Sequence, residues 1–174
     1  MSDSLLFVPC YNVALACSEL PVQHAIKFAL KFLLLVILLN LVRYFVGGPI
    51  EGLLIVERVF NAMAESPSYF NTQFTTFDWV TSFFYNFMIW LTCTWVYAKM
   101  HHSFRGNPVV KSLQVYGLMF LFFASVSAVY MNHYSHPKDF YIYNILDGLV
   151  VFPIVAVANG LLYPRFFPGD PAGR

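Results

Sequence analysis

Residues 140–163, FYIYNILDGLVVFPIVAVANGLLY, are apolar over a length that can cross a bilayer, yet they carry Asp147. A carboxylate at membrane depth is costly unless something compensates it. On a helical wheel at about 100° per residue, Ala158, Val151, Asn144, Val155, Gly148 and Asn159 follow Asp147 within roughly 120°. The remaining arc holds bulky apolar residues such as Ile142, Leu146, Leu149, Phe152 and Ile154. The narrow small and polar face must turn toward protein or a water-filled cavity, because hydrocarbon offers Asp147 no partner. This segment therefore predicts neighbouring helices.

Composition supports that expectation. Of 174 residues, 59% are hydrophobic and 11% charged, where a soluble domain has about 25% charged residues. With a mean hydropathy of +0.62, the chain reads as an all-α integral membrane protein. The net charge of +1, without a basic patch, argues against a nucleic-acid partner. Cys10, Cys17 and Cys93 have no metal-ligand spacing and read as apolar-type thiols.

Outward from the last segment, the periodicity predicts four spans, at about 25–46, 79–100, 113–131 and 140–163, within a domain covering 25–163. Residues 1–24, broken by Pro9 and Pro21, are expected at the interface. They lack the cationic start of a secretory signal. In the first span, Lys27 and Lys31 can snorkel to the near interface, and Asn40 and Arg43 lie on the opposite face near the far end. Gly47, Gly48 and Pro49 are expected to end that helix. Residues 50–64 then read as a short amphipathic helix lying in the interface or docked on a partner. In the second span, Asn86 is expected to bond to a neighbouring helix. Gly117, Ala124 and Ala128 give the third span a small face for close packing, and Gly148 and Asn159 do the same in the fourth. Residues 164–174 form a Pro-rich and Gly-rich tail.

The connection carrying Lys99, Arg105 and Lys111 has no acid, whereas 49–78 is acidic. The positive-inside bias places both termini in the cytoplasm, as in a bacterial inner membrane or, equivalently, an organellar one. In that topology Arg43 and Asp147 lie roughly 6 and 9 Å below the same interface, at 1.5 Å per residue. Asn40, Arg43, Asn144 and Asp147 are accordingly expected to form a structural intramembrane polar cluster. The ordinary alternative is that Arg43 snorkels outward and Asp147 takes water or a backbone donor. A single carboxylate makes a poor proton relay.

His24, His101, His102, His133 and His136 lie outside the core of every span, so they read as surface residues and not as haem ligands. Ser125 and Ser127 have no activating His or acid nearby, and no phosphate-loop, zinc-protease or nucleophile-elbow motif occurs. No catalytic, cofactor-binding or metal residue is assigned and no cofactor is predicted. The leading expectation is a non-catalytic accessory subunit of a larger membrane complex, respiratory or photosynthetic, with the bilayer and other membrane subunits as partners. A small oligomeric transporter or channel lined by the Asp147 face is the second reading. A pigment-, quinone- or haem-binding membrane subunit is the third.

Overall fold

The structure is a computed structural model describing residues 11–70, 73–134 and 137–169. Every regular element among the described residues is helical. Three helices are long and apolar enough to cross a membrane, Val22–Ala64, Pro108–His133 and Lys138–Phe166, and they are consistent with an integral membrane location. Of the expected interfacial segment 1–24, residues 1–10 lie outside the described residues, as do His136 and residues 170–174 of the tail, whereas residues 11–24 are helical and continuous with the first span.

The chain divides into two units, Met1–Leu34 and Leu35–Arg174. In the first, α1 (Tyr11–Val42) begins and runs through Pro21. Lys27 and Lys31 are exposed there, and the rings of Phe28 and Phe32 stack with centroids 6.0 Å apart. In the second unit α1 continues with Leu35, Val36, Leu39 and Asn40 buried.

The helix does not end at Gly47–Pro49, contrary to the sequence expectation. It continues through a π-turn (Arg43–Gly47), α2 (Gly48–Glu51), a second π-turn (Gly52–Val56) and α3 (Glu57–Ala64). The physical reason is local. A glycine stop requires a left-handed backbone, but Gly47 and Gly48 have φ of −67° and −52°, both right-handed helical. Pro49 stands in the first turn of α2, where a missing N–H is tolerated. The Gly48 N–H donates to Arg43 O, five residues back, as a π-turn requires.

Residues 50–64 are thus no separate helix. Their register against α6 (Lys138–Phe166) is antiparallel. Gly47 lies against Val151, and the Arg58 guanidinium stands 6.0 Å from the Tyr143 ring centroid. Glu51 falls between these two contacts, within the apolar length of α6.

α4 (Thr76–Met100) starts at a capping box, with Thr75 N–H donating to Asp78 Oδ2 at 2.8 Å and Thr75 Oγ1 accepting from Asp78 N–H. It has 25 residues, but Trp, Tyr, Thr and Asn86 make it less apolar than the other three long helices. α5 (Pro108–His133) starts at the turn expected from Gly106-Asn107-Pro108. Gly106 has φ 113°, and Asn107 Oδ1 accepts from Val110 N–H at 2.9 Å. α5 and α6 are the most extensively paired helices. The closest approach is at Gly160, where a Cβ would lie 2.5 Å from the Val109 Cα.

Candidate functional site

The α4, α5 and α6 helices pack differently along their lengths. Toward the connection between α4 and α5 the packing is closed by polar contacts. Thr94 Oγ1 and Tyr116 Oη are 3.1 Å apart, and Asn159 Nδ2 donates to Ser112 Oγ at 3.0 Å. Tyr97, His101 and Tyr163 pack ring against ring there, all fully buried. Trp90 lies next along α4, stacked on Tyr116 and edge-on to Phe152 at 5.3 Å.

Beyond Trp90 the helices enclose a cavity of about 430 Å³. α4 contributes Asn86, Trp90 and Cys93, α5 contributes Met119 and Phe123, and α6 contributes Asn144, Asp147 and Phe152. Arg43 reaches it from the first π-turn. Met88, Ile89, Phe122 and Val126 are exposed lining residues, so the cavity opens between α4 and α5. Its body is apolar, and its polar groups are Arg43, Asn86, Thr92, Asn144 and Asp147.

The Arg43 guanidinium is fixed from two sides. Nη2 donates to Glu51 Oε2 at 2.8 Å, and the Tyr44 ring centroid lies 4.7 Å from Cζ. Tyr44 itself stacks on Phe83 of α4, centroids 5.5 Å apart. Eight residues of regular α-helix turn about 800°, leaving Glu51 roughly 80° away from Arg43. A π-turn takes in one extra residue, so the eight turn as about seven would, within roughly 20° of two full turns. The backbone irregularity therefore puts acid and base on one face. Gly47 completes the arrangement, since a Cβ there would lie 3.3 Å from Glu51 Oε1.

The expected cluster of Asn40, Arg43, Asn144 and Asp147 is rearranged accordingly. The ion-pair partner of Arg43 is Glu51, not Asp147, because the π-turn brings Glu51 round within the same helix. Asp147 stays within electrostatic reach of both Arg43 and Glu51. Among the described residues it makes no hydrogen bond or ion pair. Asn144 and Asp147 share the cavity wall with Arg43, whereas Asn40 is buried outside it with Oδ1 unpartnered.

Of the expected packing residues, Gly148 lies against two α5 rings. A Cβ there would lie 3.1 Å from Phe120 and 3.2 Å from Phe123. Asn159 bonds across to Ser112 on α5. Among the described residues Asn86 makes no bond across a helix interface; Nδ2 donates to the Ser82 carbonyl of its own helix at 3.0 Å. Among the described residues nothing lies within 4 Å of where a Cβ at Gly117 would stand, and Gly117 borders an apolar recess of about 170 Å³. Ala124 and Ala128 are only half-buried.

Three functional or packing residues escaped the sequence reading. Glu51 was hidden by the expected helix stop. Gly160 stands four residues after Ala156, a small-residue spacing that marks close helix contact. His101, expected at the surface, is buried with Nδ1 3.0 Å from Tyr97 O, because the first helix turn after α4 folds back onto Tyr163.

Comparison with protein families, curated proteins and solved structures finds no match for this chain.

Proposed function

We propose that this chain is a membrane-embedded, non-catalytic subunit that holds one lipid-soluble small molecule in the cavity between α4, α5 and α6. The observation that carries the proposal is the cavity itself. Its volume of about 430 Å³ falls in the range of small-molecule sites, roughly 300–1,000 Å³. Apolar walls with a few convergent polar groups are the usual make-up of such sites. The opening between α4 and α5 is rimmed by Met88, Ile89, Phe122 and Val126, which suits entry from the hydrocarbon phase.

In this reading α4 is a fourth crossing and the bundle belongs to a bacterial-type inner membrane. Lys99, Arg105 and Lys111 lie on the cytoplasmic side, and other membrane subunits surround the chain. The test is native mass spectrometry of the chain released from non-ionic detergent micelles. A stoichiometric small-molecule adduct is expected on the wild type and lost in Val126→Trp, which fills the mouth, with helical content unchanged by circular dichroism. An adduct that survives the filled mouth would place the bound molecule elsewhere and end the proposal.

A further inference from the structure

The cavity's polar groups differ in what they can offer an occupant. Asn86 Nδ2 donates to Ser82 O, and Asn144 Nδ2 donates to Phe140 O at 2.8 Å. Both amides are thereby oriented with nitrogen toward their own helix, and each leaves its Oδ1 as a free acceptor. Thr92 Oγ1 is likewise engaged, donating to Met88 O at 2.9 Å. Asp147 adds a carboxylate that makes no hydrogen bond or ion pair among the described residues.

Among the donors on the wall, Arg43 Nη2 is held by Glu51, and Arg43 Nε and Trp90 Nε1 are buried without a hydrogen-bond partner among the described residues. Counting formal charges, Arg43 contributes one positive charge, and Glu51 and Asp147 contribute one negative charge each. With all three ionised, the polar end carries one net negative charge that no described side chain pairs. In a medium of low dielectric such a charge attracts a cation strongly.

We infer that the molecule taken by this cavity is a lipophilic amine, whose ammonium head donates to Asp147 and to the Asn86 and Asn144 carbonyl oxygens while its apolar body lies along Met119, Phe122 and Phe123. The inference rests on reading the cavity as a binding site. A charge-assisted hydrogen bond to a carboxylate is about twice as strong as a neutral one, so the head should decide selectivity among probes with equal tails.

Dodecylamine, dodecanol and dodecanoic acid provide such a set. They are offered together, at equal mole fraction in non-ionic micelles at neutral pH, and adducts on the full chain are counted by native mass spectrometry. The amine adduct is expected to exceed each of the others by about tenfold. Asp147→Asn, which keeps the side chain's shape, is expected to abolish that preference while the dodecanol adduct persists. Asn86→Asp, which adds a second carboxylate, is expected to strengthen the preference. Equal adducts, or a preference for the carboxylic acid, would overturn the amine assignment and leave the cavity reading standing. Absence of any adduct would overturn both.

Discussion

Arg43 and Glu51 are largely buried, with 15% and 6% of their side chains exposed. Removing one partner of such a pair strands the other charge in a medium that cannot solvate it. That costs about 3–5 kcal/mol, whereas removing both leaves neither partner of the pair stranded. Arg43→Ala and Glu51→Gln are each expected to lower stability by about 3 kcal/mol, and the double variant by distinctly less than the sum. Unfolding in mild detergent, titrated with a denaturing detergent, measures all three. Additive losses would mean that the two side chains do not act as a pair. Asp147→Asn, by contrast, removes an unpaired carboxylate and no hydrogen bond or ion pair found among the described residues, so it is expected not to lower stability.

Helix contacts and helix irregularities are tested with pairs of variants. At Gly160 a Cβ would meet backbone, Val109 Cα at 2.5 Å and Pro108 O at 2.9 Å, and backbone cannot rotate aside. Gly160→Ala is expected to force α5 and α6 apart and cost about 1–3 kcal/mol, as overpacking does. Gly117→Ala meets nothing within 4 Å, so helix propensity alone acts there and the change is expected to stabilise by up to about 1 kcal/mol. The π-turn offers a sharper contrast. Deleting Phe45, exposed at 76%, removes the extra residue and leaves Arg43 and Glu51 on one face of a regular helix. Deleting Leu149, also exposed, from the regular part of α6 instead rotates everything beyond it by about 100°. The first deletion is expected to keep a cooperative unfolding transition and the second to lose it. If both behave alike, the extra residue of the π-turn is not what sets the face of Glu51.

At the scale of the molecule, what the sequence disclosed follows from the reach of each signal. The amphipathic wheel around Asp147 pointed to an enclosed polar face, and Asn144, Asp147, Gly148 and Val151 do line the cavity together. Hydropathy depends on composition over about a span's length, so it disclosed the long helices. The partner of Arg43 depends on one inserted residue, which leaves no mark in periodicity. Gly47-Gly48-Pro49 has the composition of a stop, and packing of the following residues against α6 overrides that local preference. The cavity is a gap between three helices, and no single helix encodes it.

The number of crossings is the remaining question at this scale, and α4 decides it. α4 is 25 residues long, about 37 Å at 1.5 Å per residue, which exceeds a hydrocarbon core of about 30 Å. Its buried residues Trp90, Cys93, Thr94 and Tyr97 pack inward, and its Phe83, Phe84 and Ile89 are exposed, as suits a helix with one side to lipid. A helix paired this way with α5 and α6 should share their environment along its length. Its two flanking connections should then lie on opposite sides of the membrane. Ser68 and Arg105 are exposed in those connections. In a cysteine-free background, Ser68→Cys is expected to react with an impermeant maleimide added outside intact cells. Arg105→Cys is expected to react only after the membrane is permeabilised. Labelling of both positions from the same side would make α4 a surface helix. The cavity would then open toward headgroups instead of hydrocarbon, and entry of a lipid-soluble molecule between Ile89 and Phe122 would have no route.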